Sequence, residues 1–286
     1  MSSVLQSLWI EGGKRLVEAG VDEGVKEAFS MVTRLMGGDV GKVVLRSNEL
    51  VPQDFDRKTL ENWLGRRCQR EPLAYLFEEK EFYGRTFKVG PGALVPRPET
   101  EILVESVLSR HQERPFRQGL DLCSGPGTLG MTLSLEMDLP FCLVELSAVS
   151  MSWAEKNLNH LEPKKVTLEQ GDVRDLSGIE GYDLIVCNPP YVESEVMGEL
   201  MPEVRDFEPS LALDGGLGGL VFLRQLMDKL RNEVSKGSEL FVEVGAGQKK
   251  SLEENPPEGW TRHAWHKDLA GVDRVAHYLF LDESDG

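Results

Sequence analysis

The chain has few cysteines, no long apolar run and too few basic residues to balance its acidic ones. Its four cysteines, Cys68, Cys123, Cys142 and Cys187, lack the spacing of a zinc site, and this pattern is typical of a reducing compartment. No apolar stretch approaches the ~20 residues that cross a bilayer. The first ten residues lack the basic and then apolar order of a secretory signal. We therefore expect a cytoplasmic protein without a metal ion or membrane contact.

The charge balance is strongly acidic. The chain has 32 Lys and Arg residues against 48 Asp and Glu residues, which gives a formal net charge of −16. A protein that binds nucleic acid without sequence preference usually presents a basic face to the phosphates. A local patch such as Arg66, Arg67 and Arg70 remains compatible with this acidic balance. The overall charge nevertheless favours a protein or small-molecule substrate and no direct contact with nucleic acid.

The pattern of apolar residues changes twice along the chain, after residue 76 and after residue 95. Residues 1–76 carry apolar side chains at helical spacing, which predicts a small helical domain. Residues 77–95 alternate around a glycine, which predicts a β-hairpin linker. Residues 96–286 alternate between strand and helix patterns, which predicts an α/β domain with a mostly parallel sheet. Thr100 is expected to cap the first helix of this domain.

The most informative stretch of the chain is the tetrapeptide Asn188-Pro189-Pro190-Tyr191. It follows the apolar run 183–187, which is typical of a buried strand, so it lies where open α/β sheets place their ligand crevices. The prolines have fixed φ and no N–H donor, so the loop is stiff and aims one amide and bare carbonyls at a planar NH2 group. Asn-Pro alone is more often a simple turn. The whole tetrapeptide favours catalytic roles for Asn188, Pro189 and Tyr191, with Pro190 as a further substrate contact.

A second loop follows the short strand-like segment 119–122. Asp121 lies at the end of that segment and suits an amine-bearing or cationic ligand. Glycines in such a turn let the backbone approach a ligand closely. The spacing is not that of the dinucleotide pattern G-x-G-x-x-G, so pyrophosphate binding is not indicated. The loop residues expected to contact a cofactor are Cys123, Ser124, Gly125, Pro126 and Gly127. Asn188 of the tetrapeptide is expected to contact the cofactor as well.

Acidic residues also end the next two predicted strands. Glu145 stands about 20 residues after the loop, where a carboxylate can accept both ribose hydroxyls of a nucleoside. Asp172, followed by Val173, ends the third strand and can accept a hydrogen bond from an adenine amine. Each acid alone is more often a solvated strand end, but three at successive strand ends predict a nucleoside site.

Together these residues resemble the class I S-adenosylmethionine-dependent methyltransferases. The tetrapeptide narrows the likeness to enzymes that methylate planar amino groups. Further segments resemble the bacterial release factor glutamine methyltransferases over about residues 65–280. These segments are Glu71-Pro72-Leu73-Ala74-Tyr75-Leu76, Pro96-Arg97-Pro98-Glu99-Thr100-Glu101, Glu208-Pro209 and Gly271-Val272-Asp273-Arg274. Cys123 stands where this family usually has the first glycine of the loop, and Glu145 where an aspartate is usual.

The resemblance implies a fold, a cofactor and a substrate. The fold is a Rossmann-like class I methyltransferase sheet of seven strands, the last antiparallel, behind an N-terminal helical substrate-docking domain. The cofactor is S-adenosylmethionine, and the substrate is the glutamine in the Gly-Gly-Gln loop of peptide chain release factors. Three alternatives stay open: a glutamine of a ribosomal protein, an adenine amine of DNA or RNA, and a binding module without activity.

Overall fold

The computed structural model describes residues 4–281, and the chain divides into two compact units. The first unit contains the described residues through Phe77 together with the distant segment Pro202–Phe207. The second contains Glu78–Met201 and the described residues from Glu208 onward. The sequence did not predict that Pro202–Phe207 belongs to the helical unit. Hydrophobic periodicity indicates only local structure, whereas this segment is held by long-range ion pairs.

The first unit is built from helices. Its first five are α1 (Leu5–Glu18), α2 (Gly24–Leu35), α3 (Val40–Leu45), α4 (Arg57–Cys68) and α5 (Leu73–Phe77). Gly13 on α1 allows a close approach to α2, since a Cβ at this position would lie 2.6 Å from the Cα of Val25. Leu16, Met31 and Leu64 are buried between the helices and form part of the core of this unit.

Glu203 fastens the segment Pro202–Phe207 to the rest of the helical unit. One carboxylate oxygen lies 2.8 Å from Nη2 of Arg67, and the other lies 2.6 Å from Nη2 of Arg70. Arg67 is also paired with Glu27 at 2.5 Å. Burial alone would raise the pKa of Glu203, but hydrogen bonds from Arg70 and Arg67 lower it overall. The basic groups in this stretch are therefore neutralised by acidic side chains of the same unit.

Replacing Glu203 with glutamine is expected to destabilise the helical unit. Glutamine keeps the shape but cannot neutralise Arg67 and Arg70, and because Arg67 retains Glu27 we expect a loss of about 1–2 kcal/mol. The wild-type advantage is present above the unfolded carboxyl pKa of about 4.3 and is lost as the pH falls below it. Urea unfolding at several pH values measures the loss. The exposed control Glu199→Gln should leave stability nearly unchanged, and equal losses in both variants would contradict the role of Glu203.

The second unit opens with a hairpin and continues with alternating strands and helices. In the hairpin, β1 (Glu79–Phe82) pairs antiparallel with β2 (Arg85–Lys88). The other strands are β3 (Gly119–Leu122), β4 (Phe141–Glu145), β5 (Val166–Gln170), β6 (Leu184–Cys187), β7 (Glu239–Glu243), β8 (Trp260–Lys267) and β9 (Asp273–Phe280). The remaining helices are α6 (Glu101–Glu113), α7 (Thr128–Met137), α8 (Ala148–Leu161), α9 (Pro202–Phe207, in the first unit), α10 (Val221–Leu230) and α11 (Gln248–Glu254).

Seven strands form one mixed sheet in the order β5-β4-β3-β6-β7-β9-β8. The last strand, β9, runs antiparallel to both β7 and β8, which confirms the predicted fold class. The strand β8 occupies one edge of the sheet, and β9 lies next to it. Within residues 4–281 no helix is both long enough and apolar enough to cross a membrane.

Alternate residues of the central strands pack on opposite faces of the sheet. On β6, Leu184 and Val186 join the cluster that contains α6 and α7, whereas Ile185 and Cys187 join the cluster that contains α10. Such two-sided burial explains why these strands are continuously apolar in the sequence. Because β3, β4, β6 and their neighbours are parallel, their carboxyl ends meet at one edge of the sheet, where the predicted site residues lie.

Candidate active site

A cavity of ≈ 400 Å³ lies at the carboxyl ends of β3, β4 and β6. It is lined by most of the predicted site residues: Asp121, Cys123, Ser124, Gly125, Pro126, Glu145, Asp172, Val173, Asn188 and Pro190. Among the described residues, Gly127, Pro189 and Tyr191 were also predicted for the site but do not line the cavity. Its volume is in the range of pockets that bind small molecules and cofactors.

The loop after β3 has the backbone conformation that its glycines suggest. Cys123 has a φ of 57°, a left-handed conformation that glycine adopts more easily. Gly125 has a φ of 58°, and no atom lies within 4 Å of the position that a Cβ would take. Gly127, with a φ of 81°, precedes α7, and a Cβ there would lie 2.6 Å from Cε of Met131. Gly127 therefore serves the packing of the loop, while the backbone at Gly125 remains open to a ligand.

Glu145 is fixed by two backbone groups. Its Oε2 accepts a hydrogen bond from the N–H of Gly125 at 2.8 Å, and its Oε1 accepts one from the N–H of Ser147 at 2.8 Å. The side chain is 8 % exposed and lines the cavity. Each carboxylate oxygen has a further lone pair, so Glu145 can accept two hydroxyl groups of a ligand without giving up its backbone contacts.

Two buried hydroxyls in the cavity wall are unpaired. Oγ of Ser124 and Oγ1 of Thr128 have no hydrogen-bond partner within the described part of the chain. Buried polar atoms are nearly always hydrogen-bonded, so these hydroxyls are candidates for contact with a ligand. The sequence reasoning missed Thr128, although its place directly after Gly127, at the start of α7, is visible in the sequence.

Asp121 is a buried carboxyl group in the floor of the cavity. It is 1 % exposed, and its Oδ2 accepts a hydrogen bond from the N–H of Gly130 at 2.8 Å. Burial raises the pKa of Asp121 to about 8, despite the opposing effect of the Gly130 hydrogen bond. A ligand that carries a positive charge would restore the ionised form, because an opposite charge nearby favours the carboxylate.

Asp172 differs from Asp121 in its environment. Its Oδ2 lies 2.5 Å from Nη2 of Arg174, and its Oδ1 accepts a hydrogen bond from the N–H of Arg174 at 2.9 Å. The hydrogen bond from the Arg174 side chain lowers the pKa of Asp172, so this carboxyl is ionised. Arg174 also lines the cavity and was not predicted.

The side chain of Asn188 is hydrogen-bonded to Thr100, which the sequence had predicted to be a helix cap. Nδ2 of Asn188 donates a hydrogen bond to Oγ1 of Thr100 at 3.2 Å. Oδ1 of Asn188 takes no part in this hydrogen bond. The expectation that Thr100 caps α6 is wrong, because its side chain makes no capping hydrogen bond. Thr100 is itself in a right-handed helical conformation, with a φ of −66°, whereas a capping residue is typically extended.

Tyr191 reaches the end of β7. Its hydroxyl donates a hydrogen bond to Oε1 of Glu243 at 3.2 Å, and its pKa is raised by burial and then by the charge of Glu243. Burial raises the pKa of Glu243 to about 6, although the hydrogen bond from Tyr191 opposes this shift. The sequence reasoning missed Glu243, which ends an apolar strand and resembles a solvated strand end.

The side chain of Gln248 fixes the backbone at Tyr191 by a hydrogen bond. Nε2 of Gln248 donates to the carbonyl oxygen of Tyr191 at 2.9 Å, while Oε1 of Gln248 accepts from the N–H of Gly245 at 2.8 Å. Glycine is required next to this loop, since a Cβ at Gly215 would lie 2.7 Å from the carbonyl oxygen of Pro190. A Cβ at Gly219 would lie 2.2 Å from the carbonyl oxygen of Tyr191. These contacts hold the tetrapeptide loop in one place.

Glu208 connects two of the segments that the sequence singled out. It is buried, its Oε2 accepts from the N–H of Val95 at 3.0 Å, and its Oε1 accepts from Nη2 of Arg97 at 2.6 Å. Arg97 lines the cavity, as does Pro209. The stiff connector before α6 and the loop that begins at Glu208 therefore form one side of the site together.

Two protein families match parts of the chain. The "Methyltransferase small domain" family matches residues 98–204, and the "PrmC N-terminal domain" family matches residues 7–77. Among solved structures, the catalytic domain of hMettl16 in complex with MAT2A 3′UTR hairpin 6 superposes with a TM-score of 0.53 at 15% identity. The match covers 78% of this chain and 83% of that one, and at this identity it supports the fold alone.

Curated relatives extend over nearly the whole chain. A release factor glutamine methyltransferase from Caulobacter vibrioides is 33% identical over 279 residues, which cover 96% of each chain. One from Geobacter sulfurreducens is 33% identical and covers 93% of each. One from Thermodesulfovibrio yellowstonii is 31% identical, over 88% of this chain and 91% of the relative. Both compact units of the chain are thus included in the likeness.

Proposed function

Because this chain belongs to the release factor glutamine methyltransferase family, we propose that it methylates the side-chain amide nitrogen of the glutamine in the Gly-Gly-Gln loop of peptide chain release factors. The observation that supports this proposal best is the orientation of Asn188. Its Nδ2 is engaged by Thr100, so its Oδ1 is available to accept an N–H of a substrate amide. The methyl donor that we propose is S-adenosylmethionine.

The cavity suits S-adenosylmethionine in its donors and acceptors. The unpaired hydroxyls of Ser124 and Thr128 can donate to the carboxylate of the methionine part, and Asp121 can face its ammonium group. Glu145 has the lone pairs to accept the two ribose hydroxyls. Asp172, which is paired with Arg174, is the proposed acceptor for the adenine amine. When bound, this cofactor supplies a methyl group that its sulfonium has already activated.

The residues of the tetrapeptide supply orientation. A glutamine amide nitrogen is a poor nucleophile because its lone pair is delocalised into the carbonyl group. Oδ1 of Asn188 and the carbonyl oxygen of Pro189 can each accept one N–H of the amide, which fixes the nitrogen and favours the positive charge that develops on it. Tyr191 would pack against the amide plane. Correct placement of two reacting groups can account for a large part of the rate.

No general base is needed before methyl transfer. As the new nitrogen–carbon bond forms, the methyl–sulfur bond breaks and the amide nitrogen becomes positively charged. An amide protonated on nitrogen is strongly acidic, so the proton leaves to solvent afterwards. The side chains at this site therefore have to position the amide and stabilise its charge, and they do not have to remove a proton first.

The substrate is tested by transfer of a tritiated methyl group to purified release factor. Label is expected in wild-type release factor and not in a variant whose Gly-Gly-Gln glutamine is replaced by alanine. Parallel reactions contain ribosomal proteins, DNA and RNA. Label that appears only in nucleic acid, or only in a ribosomal protein, would reject the proposed substrate, and no label in any arm would favour a binding module.

The raised pKa of Asp121 leads to a prediction on cofactor binding. At pH 7 the free protein holds a proton on Asp121, while the amino group of the ligand is already charged, so binding should release about one proton. Affinity should therefore fall as the pH drops below about 8, because more free Asp121 must then lose its proton. Calorimetry with S-adenosylhomocysteine in two buffers of different ionisation enthalpy measures this release.

Two variants make the prediction about Asp121 specific. Asp121→Asn should abolish the proton release, whereas Asp172→Asn should retain it, because Arg174 lowers the pKa of Asp172 and keeps it ionised with or without ligand. Proton release that persists in Asp121→Asn would show that another group titrates.

A further inference from the structure

Gln248 is a buried amide that connects the turn after β7 to the tetrapeptide loop. It is the first residue of α11, is 7 % exposed and does not line the cavity. Its Nε2 donates to the carbonyl oxygen of Tyr191 at 2.9 Å, and its Oε1 accepts from the N–H of Gly245 at 2.8 Å. Each end of the amide therefore has a partner inside the protein, and any effect of Gln248 on a ligand must pass through the residues that it holds.

Tyr191 contacts the segment between the end of β7 and the start of α11 at three places. Its hydroxyl donates to Oε1 of Glu243 at 3.2 Å. Its ring lies close to the backbone of Gly245, since a Cβ there would be 3.3 Å from Cδ2 of Tyr191. The third contact is the hydrogen bond from Gln248 to the carbonyl oxygen. One short segment thus holds both the ring and the backbone of Tyr191.

The position of the tetrapeptide loop depends on its two ends, because the two prolines at its centre have no N–H to donate. Before the loop, β6 is paired with β3 on one side and with β7 on the other. After the loop, the N–H of Val192 donates to the carbonyl oxygen of Leu213 at 2.8 Å, and Gln248 holds Tyr191. Since the fixed φ angles of the prolines make the loop stiff, a shift at Tyr191 is transmitted to Asn188.

Gly219 covers the hydrogen bond between Gln248 and Tyr191. A Cβ at Gly219 would lie 2.2 Å from the carbonyl oxygen of Tyr191 and 2.5 Å from Nε2 of Gln248. The backbone of Gly219 therefore packs on the donor and on the acceptor together. Its φ of 69° is a conformation that glycine adopts easily. No side chain fits at this place unless the hydrogen-bonded groups move.

An amide is the side chain that satisfies both partners of Gln248. The N–H of Gly245 needs an acceptor and the carbonyl oxygen of Tyr191 needs a donor, and glutamine offers one of each. A flipped amide would bring oxygen against oxygen at Tyr191 and NH2 against N–H at Gly245, so the two partners fix one orientation. A carboxylate at this position would place a second acceptor against the carbonyl oxygen.

We propose that Gln248 is a positioning residue for methyl transfer, which fixes the end of the tetrapeptide loop and the ring of Tyr191. It acts on the reaction through Asn188 and Tyr191, and it touches neither the cofactor nor the substrate. The inference rests on the proposed methylation of an amide, in which these two residues orient the target nitrogen.

The first test is Gln248→Glu, which keeps the shape of the side chain and replaces its donor with an acceptor. We expect kcat for methyl transfer to fall about 10–100-fold, because small displacements of orienting groups have effects of this size. KM for the protein substrate should rise, since Tyr191 loses its fixed position. Kd for S-adenosylhomocysteine should change little, because Gln248 does not line the cavity.

Two further variants act on the same hydrogen bond and remain informative if Gln248→Glu folds poorly. Gln248→Met removes both hydrogen bonds without adding a charge, and kcat should fall less than in Gln248→Glu. Gly219→Ala displaces the carbonyl of Tyr191 from a different loop, and kcat should again fall while Kd for S-adenosylhomocysteine is retained. The combination of Gly219→Ala with Gln248→Met should cost less than the product of the two losses, because both act on one carbonyl group.

Arg224→Leu is a matched control at the other end of α11. Nη1 of Arg224 donates to the carbonyl oxygen of Asn255 at 2.8 Å, and Nη2 donates to that of Ser251 at 3.1 Å. Like Gln248, Arg224 is a polar side chain that binds backbone carbonyl groups, but its partners lie at the end of α11 away from the tetrapeptide. Its substitution should lower thermal stability and leave kcat unchanged.

Three results would overturn the inference. The first is a wild-type kcat in both Gln248→Glu and Gln248→Met. The second is a rise in Kd for S-adenosylhomocysteine as large as the fall in kcat, which would place the effect in the cofactor site. The third is an equal fall of kcat in Arg224→Leu, which would show that loss of stability alone lowers the rate.

A failure of this inference differs from a failure of the proposed function. If the wild-type enzyme does not methylate release factors, the proposed substrate is wrong. The variants are then compared with wild type on whichever substrate the wild-type enzyme does methylate, and the ratio of kcat values decides the role of Gln248. A wild-type enzyme that methylates no substrate at all would overturn both.

Discussion

Asn188→Ala is expected to lower the rate of methyl transfer about 10²–10³-fold, the usual cost of losing one preorganised group that stabilises the transition state. The reason is that in the proposed function Oδ1 of Asn188 accepts from the reacting amide, and a contact that strengthens as charge develops acts on the transition state. Nδ2 of Asn188 donates to Oγ1 of Thr100, and other residues supply most of the groups that we propose for the cofactor. Affinity for S-adenosylmethionine should therefore change much less than the rate.

The measurement is single-turnover transfer to a release factor, with cofactor affinity determined by calorimetry in parallel. Tyr191→Ala should raise the apparent KM for the protein substrate and also lower turnover. Tyr191→Phe should be milder, since it keeps the ring face and loses only the hydroxyl contact with Glu243. An Asn188→Ala enzyme with near-normal turnover would show that the tetrapeptide is only a turn.

Most of the predicted site residues line one cavity, because the sequence signals for their positions are local. Asp121, Glu145 and Asn188 each end or follow an apolar strand, and parallel strands bring their carboxyl ends to one edge of a sheet. Once the order of strands and helices is recognised, the positions of these residues follow without knowledge of distant contacts. The loop after β3 was equally visible, because its glycines mark a turn between a strand and a helix.

The residues that support the site and the helical unit were not predicted, because their partners lie far away in the sequence. Thr100 lies 88 residues before its partner Asn188, and locally its position suggests a helix cap. Glu203 lies 136 residues after Arg67 and has no feature that separates it from other acidic residues in a chain with 48 of them. Buried ion pairs and long-range side-chain hydrogen bonds depend on side chains that only the folded chain brings together, so local patterns do not predict them.

Glu145→Ala is expected to weaken binding of S-adenosylmethionine by roughly 1–3 kcal/mol, through loss of charge-assisted hydrogen bonds to the ribose hydroxyls. The substitution also removes the acceptors of the Gly125 and Ser147 N–H groups, so the loop after β3 loses one of its contacts with the end of β4. Both effects act on cofactor binding. The rate at saturating cofactor should change less than the affinity.

Calorimetric titration with S-adenosylhomocysteine measures the effect of Glu145→Ala. Two further variants serve as a conservative substitution and as a control. Glu145→Asp keeps the charge, and an aspartate is usual at this place in the family, so its loss of affinity should be smaller. Glu169→Ala removes an exposed carboxylate from the neighbouring strand β5, outside the cavity, and should bind as tightly as wild type. Unchanged affinity in Glu145→Ala would remove Glu145 from the cofactor site, and an equal loss in Glu169→Ala would point to the net charge of the protein instead.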